Sequence, residues 1–188
     1  MDSICLDTDI LFNIGLKSEN NFRQTYNKIM EADKILTEWV LLLFTDFILI
    51  TTPICIWEFL SVNHRESDLF SAIERTNKII DRYNASTIIE PTEYILSILL
   101  TSSTGVSCAD AYVIIYAILK ECKYVATNNA KDFKPYERYS KNEVIHKMIE
   151  IVKEYSIMEN NELLLEMIEK LRNLNWPKLA TKPAMIEL

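Results

Sequence analysis

The chain has 188 residues, 49% of them hydrophobic and 25% charged, with a net charge of −7. That length and composition fit one globular domain with an appendage and exclude a disordered chain. Only two glycines occur, Gly15 and Gly105, where average usage gives about 13; glycine-rich phosphate loops and dinucleotide-binding turns are excluded, and hairpin-rich all-β folds are disfavoured.

In chain order, Ile4-Cys5-Leu6 is a short apolar run ending at Asp7, which predicts a buried strand. Ser18 is placed to cap a helix over 19–31, and a second helical pattern runs over 33–44. Phe47 to Thr51 is β-branched and apolar, hence a buried strand. Thr52-Pro53 has the form of an N-cap followed by proline at the first helical position, opening a helix that carries Trp57, Glu58 and Leu60. Helical spacing through Leu69, Ile73, Ile80 and Tyr83 predicts a helix over 68–83. Ser86 to Ile89 reads as a short strand, Pro91 to Leu100 as a helix, and Ser102 to Gly105 as a loop. Ser107 and Asp110 form a capping-box pattern opening a helix to about Cys122. Tyr124 to Thr127 is another short strand. Residues 141–155 and 160–173 predict amphipathic helices, with Val144, Ile145, Met148 and Val152 on one apolar face and Leu164, Met167, Ile168 and Leu171 on the other.

Short apolar strands alternating with helices predict βαβ units and a parallel sheet of four or five strands. The division expected is a domain over 1–140 and a helical extension over 141–188, packed on the domain or in a dimer interface. The acidity sits in residues 1–140, with 13 basic against 19 acidic residues; residues 141–188 carry seven against eight. Cys5, Cys55, Cys108 and Cys122 form no C-x-x-C pair and predict reduced, buried thiols in a cytoplasmic protein. His64 and His146 stand far apart, which disfavours a zinc site. No leader is expected at the acidic, short N-terminal run. The most apolar stretch, Trp39 to Trp57, holds Asp46 and Pro53, so it predicts a buried helix and strand and no membrane span.

In open α/β sheets, ligands bind beyond the carboxyl ends of the strands. Asp7 and Asp9 follow the first strand. Glu58 lies in the second turn of the helix after the second strand. Asp110 lies in the first turn of its helix, and Asn129 and Asp132 follow the last predicted strand. Taken singly, Asp110 is explained as a helix cap, Asp132 as a turn cap and Asp9 as a solvated acid; together they form a candidate cation site. Carboxylates with no histidine or cysteine partner suit hard cations, Mg²⁺ or Mn²⁺. Without an ion they would repel and raise one another's pKa.

Three segments, ICLDTDILFNI from Ile4, TTPICIWEFLSV from Thr51 and GVSCADAYVIIYAILKECKYVATNNAKDF from Gly105, resemble the PIN-domain ribonucleases, especially VapC-type toxins. The motifs fall in order, with 52 residues from Glu58 to Asp110 and 19 from Asp110 to Asn129. The resemblance covers about residues 3–138. It implies a PIN-like three-layer fold and metal-dependent hydrolysis of RNA phosphodiesters with Mg²⁺ or Mn²⁺. Asp7, Glu58 and Asp110 match the family's acidic, metal-binding positions. Asn129 falls at the fourth, with Asp132 beside it as a substitute. Thr127 and Thr8 match the family's supporting threonines, and Asp9 adds local charge. The resemblance further implies the toxin of a toxin–antitoxin pair, with RNA as substrate, an antitoxin protein as partner and a homodimer as the assembly. The segment between Asp7 and Glu58 is longer than a compact VapC-type toxin has, and residues 141–188 run past the usual family end.

Two rival readings remain open at this level. A catalytically weak PIN-fold binding or scaffold protein accommodates Asn129 in place of an acid. A haloacid-dehalogenase-like phosphatase would use the D-x-D of Asp7 and Asp9, but Leu11 and the missing late acid pair count against it. Arg75, Lys78 and Arg82 predict a solvated basic stripe, His64 a surface residue, Trp39, Trp57 and Trp176 packing residues, and Cys108 a small buried side chain.

Overall fold

The computed structural model describes residues 2–15, 47–66, 68–83, 85–155 and 161–180. The predicted helices over 19–31 and 33–44, and Trp39, lie outside them. Among the described residues, four strands and eight helices follow one another: β1 (Ser3–Leu6), α1 (Thr8–Gly15), β2 (Ile48–Thr51), α2 (Pro53–Glu66), α3 (Leu69–Tyr83), α4 (Pro91–Thr104), α5 (Cys108–Leu119), β3 (Tyr124–Ala126), α6 (Ala130–Glu137), α7 (Lys141–Tyr155), α8 (Asn161–Leu171) and β4 (Lys178–Ala180). The fold is α/β.

The strands form one parallel sheet in the order β2-β1-β3-β4. Cys5 at the centre of β1 sits between Ile50 of β2 and Val125 of β3. Ile4, Cys5, Leu6, Val125 and Ala126 are fully buried, as unbroken apolar strands of a parallel sheet must be. From β1 the chain steps to β2 on one side, then crosses to β3 and β4 on the other. Parallel connections are right-handed in nearly all proteins, so steps in opposite directions send their helices to opposite faces. The reversal also opens a crevice between the carboxyl ends of β1 and β3.

Local chemistry sets several helix ends. Thr52 Oγ1 accepts the Cys55 N–H at 3.1 Å and caps α2, with Pro53 at its first position. Asp68 accepts the N–H of Ser71 at 3.0 Å and caps α3. Ser140 and Glu143 close a reciprocal box at the start of α7.

Five expectations change. β2 is an edge strand and not a buried one: Ile48 is 51% exposed, Leu49 and Ile50 are half-buried, and only Thr51 is buried. Ser86 to Ile89 is not a strand. Ser86 Oγ accepts the Ile88 N–H and donates to the Ile88 carbonyl, a local turn that replaces ladder bonds, and Ile88 is 67% exposed. The fourth strand is β4, inside the segment expected to be a helical extension. Lys178 N–H donates to Lys123 O at 3.0 Å and Thr127 N–H to Ala180 O at 3.2 Å, which binds β4 to the edge of β3. Ser102 to Thr104 continue α4 instead of forming a loop, because their hydroxyls bond the carbonyls of Ile98, Leu99 and Leu100 one turn back. The helix then ends at Gly105, whose φ of 83° is open to glycine at little cost. Cys108 is exposed, since it opens α5 on the solvent side; Cys5, Cys55 and Cys122 are buried free thiols.

The predicted faces of α7 and α8 are buried except at Met167: Val144, Ile145, Met148, Val152, Leu164, Ile168 and Leu171 join the core, while Met167 is only partly buried. Among the described residues no single helix is long and apolar enough to cross a membrane.

Candidate active site

The crevice at the carboxyl edge of β1 and β3 is lined by acids. The β1 ladder continues one step past the strand, with Asp7 N–H donating to Ala126 O at 3.0 Å. That bond fixes the Asp7 backbone at the strand end and turns its side chain toward β3. The Thr8 N–H donates to Asp7 Oδ1 at 2.7 Å, and the Thr127 hydroxyl to Asp7 Oδ2 at 2.8 Å. Thr127 is fully buried, and its hydroxyl also accepts the Asn129 N–H at 3.0 Å. Asp9, one residue into α1, accepts the Asn128 N–H at 2.8 Å. The loop after β3 is thus tied to the loop after β1 by both acids.

Glu58 reaches the same place from α2: the Thr8 hydroxyl donates to its Oε2. Asp110 comes from the first turn of α5. Its N–H donates to Ser107 Oγ at 3.2 Å, and the Ser107 hydroxyl donates back to Asp110 Oδ2. A helix N-terminus stabilises an anion there. Asn129 donates its amide to Asp132 Oδ2 in the first turn of α6.

The electrostatics show how close these groups are. Burial, helped by the charges of Asp9 and Asp110, pushes Asp7 up to about 7 against the hydrogen bonds from Thr127 and Thr8. Burial raises Asp9 against four hydrogen bonds. Burial also raises Asp110, reinforced by the charges of Asp132 and Glu58. The acids singled out in the sequence thus lie along one sheet edge: Asp7, Asp9, Glu58, Asp110 and Asp132, with Thr8 bonded to Asp7 and Glu58, Thr127 to Asp7, and Asn129 to Asp132.

Among the described residues, no three acids, histidines or cysteines stand together as a ready group of ion ligands. Thr8, Ser107 and Asn129 hold Glu58, Asp110 and Asp132 by hydrogen bonds instead. In donor chemistry the set is all oxygen and strongly acidic, the kind a hard divalent cation takes. The raised acids fit the same ion, because a divalent charge offsets their mutual repulsion.

Sequence reasoning missed the role of Ser107 as a hydroxyl partner of the Asp110 carboxylate beyond its cap, and that Trp57 is not a packing residue. Trp57 is 56% exposed beside Glu58; apolar neighbours in sequence gave no hint that α2 turns both outward. His64, Arg65, Arg75 and Lys78 are exposed, as surface residues should be, and Lys78 pairs with Glu74 at 2.8 Å. Trp176 is half-buried and stacks on Tyr136. Compared with protein-family models, curated proteins and solved structures, the chain matches none of them.

Proposed function

We propose that the chain is a PIN-like, Mg²⁺- or Mn²⁺-dependent ribonuclease that hydrolyses RNA phosphodiesters at the β1–β3 crevice. The observation that carries this reading is that Asp7, Glu58 and Asp110 come from three separate elements to the sheet edge where the strand order reverses, with Thr8 bonded to both Asp7 and Glu58. The order and spacing of the three sequence segments that resemble PIN-domain ribonucleases support the same reading.

Asp7 and Asp110 would hold the cation, with Glu58 and Asn129 or Asp132 completing the set. A divalent cation held there would neutralise phosphate charge and lower the pKa of a water for attack. Thr127 and Thr8 orient Asp7. Thr8 also holds Glu58, which would ligate through water or orient the attacking water. Ser107 keeps Asp110 turned to the crevice. Thr127 is fully buried and Asp7 half-buried, which makes their side the drier wall of the site.

A second reading, a PIN-like binding protein without catalysis, is favoured by two observations: an amide at Asn129, and the absence of a ready three-acid group among the described residues. The two part on one experiment. Purified protein is incubated with single-stranded RNA and Mn²⁺ or Mg²⁺, with and without chelator. The ribonuclease cleaves only with the ion, and Asp110→Asn abolishes cleavage while the protein stays folded. Absence of cleavage under all conditions, with the protein folded, rejects the enzyme. A toxin role adds an antitoxin partner, tested by co-purification with the product of the adjacent reading frame.

A further inference from the structure

The helix α6 begins at Asn129 and carries Asp132 in its first turn, the two candidates for the last corner of the acid site. It has eight residues with Pro135 inside. That is shorter than the roughly 12–15 residues at which a helix begins to hold itself in water, and the proline removes one of its few backbone donors. Its place is therefore set by what its buried side chains grip. Those are Phe133 and Tyr136. Phe133 is enclosed in the core; Tyr136 stands one turn after Asp132 and meets the C-terminal segment.

The Tyr136 hydroxyl donates to Pro177 O at 3.2 Å, and its ring stacks on Trp176 with centroids 6.0 Å apart and planes at 10°. Trp176 is itself fixed, since its Nε1–H donates to Leu171 O at 2.8 Å at the end of α8. The chain then runs straight into β4, where Ala180 O accepts the Thr127 N–H at 3.2 Å. Residues 176–180 thus hold the stretch 127–136 at both ends. Between the two holds lie the Thr127 hydroxyl, which orients Asp7 and accepts the Asn129 N–H, and the contact of Asn129 with Asp132.

We propose that Tyr136 is a positioning residue of the acid site: braced on Trp176 and Pro177, it fixes α6 at one end of this stretch while β4 fixes Thr127 at the other, and the brace sets Asn129 and Asp132 against Asp7 and Asp110 for a divalent cation. The proposal rests on the cation-site reading and deepens it, because it puts control of ion affinity in a C-terminal segment that supplies no acid to the site. Asp132 lies within electrostatic reach of Asp110, so a shift of α6 changes the charge an ion meets there. Groups that hold metal ligands in place typically carry about 10–100-fold in affinity. Tyr136 acts at one further remove, through its helix, which points to the lower end of that range.

The test uses the full chain, freed of ions by chelator, with Mn²⁺ as the probe. Mn²⁺ affinity is measured by calorimetric titration, and hydrogen exchange of the Thr127 and Asn129 amides is followed without ion. The proteins are wild type, Tyr136→Phe, Trp176→Ala and Val152→Ala. Tyr136→Phe removes only the hydroxyl and its bond to Pro177. It is expected to weaken Mn²⁺ binding about tenfold and to speed exchange of both amides while those of β1 are unchanged. Trp176→Ala is expected to act in the same direction. Val152→Ala is the control: it opens a cavity on the buried face of α7, which packs against α4 and α8. It is expected to melt at a lower temperature and to keep wild-type Mn²⁺ affinity. Unchanged affinity in folded Tyr136→Phe and Trp176→Ala overturns the brace and leaves the cation site standing. A loss of the same size in Val152→Ala overturns it too, since any destabilisation would then do the same. Weaker affinity with exchange at Thr127 and Asn129 unmoved also overturns it, because the loss would not pass through the braced stretch. No Mn²⁺ binding by folded wild type overturns the cation-site reading and the proposal with it.

Discussion

The Thr127 hydroxyl donates to Asp7 Oδ2 at 2.8 Å and, through its other lone pair, accepts the Asn129 N–H at 3.0 Å. One buried hydroxyl therefore sets both the orientation of the central carboxylate and the start of the loop that carries Asn129 and Asp132. The contact joins the ends of β1 and β3 across 120 residues of chain.

Replacing Thr127 by valine keeps the shape and removes the hydroxyl. The Asp7 carboxylate and the Asn129 N–H each lose a partner. Unfolding free energy from urea denaturation at pH 7 is expected to fall by about 1–3 kcal/mol. Thr127→Ser, which retains the hydroxyl, is expected to recover most of that loss. Equal stability of valine and wild type would show that the bond carries no weight.

Asp7 gives the ion-free protein a distinct pH response. Its carboxyl is raised from 3.8 to about 7 on folding, mainly by burial. The folded chain keeps a proton that the unfolded chain releases near pH 4. The contribution of Asp7 is therefore full below pH 4 and is lost as pH rises toward and through 7, on the order of a few kcal/mol. Asp7→Asn stands in for the protonated form. In chelator, it is expected to match wild type near pH 4 and to melt at a higher temperature at pH 7.5. A melting-temperature difference that does not vary with pH would contradict the assignment.

Leu164 is 3% exposed and Ile168 fully buried, on the α8 face that joins the core with α7. Leu164→Glu with Ile168→Glu puts two unpaired charges there and is expected to cost more than about 3 kcal/mol. A lower melting temperature checks this. An unchanged melting curve would show that α8 is not packed as described.

The parallel order of the first three strands, most described helices and the position of the acids at the sheet's carboxyl edge were legible in the sequence for identifiable reasons. Ile4 to Leu6 and Tyr124 to Ala126 are apolar runs short enough to be only strands, and Thr52-Pro53 and Ser107…Asp110 are capping chemistry. The acids followed because they stand directly after strands or in first helical turns, where a parallel sheet gathers them. β4 was not legible: Lys178-Leu179-Ala180 has one large apolar side chain, and its strand character comes from pairing with β3. Ser86 to Ile89 failed in the opposite way, since β-branched composition predicts a strand where Ser86 makes a local turn. The Ser102-Ser103-Thr104 run looked like a loop because hydroxyls compete with helix; here they bond the helix's own carbonyls. The outward turn of Trp57 depends on which side of α2 meets the core, which spacing alone did not resolve among Ile56, Phe59 and Leu60.

Calorimetric titration of the chelator-treated protein with Mn²⁺ at pH 7.5, without RNA, tests the central claim that the acids at the β1–β3 edge form a divalent-cation site. Wild type is expected to bind saturably, with a rise in melting temperature that grows with ion concentration, and both Asp7→Asn and Asp110→Asn are expected to lose that binding while remaining folded. Saturable Mn²⁺ binding that survives both substitutions, or its complete absence in folded wild type, would contradict the account.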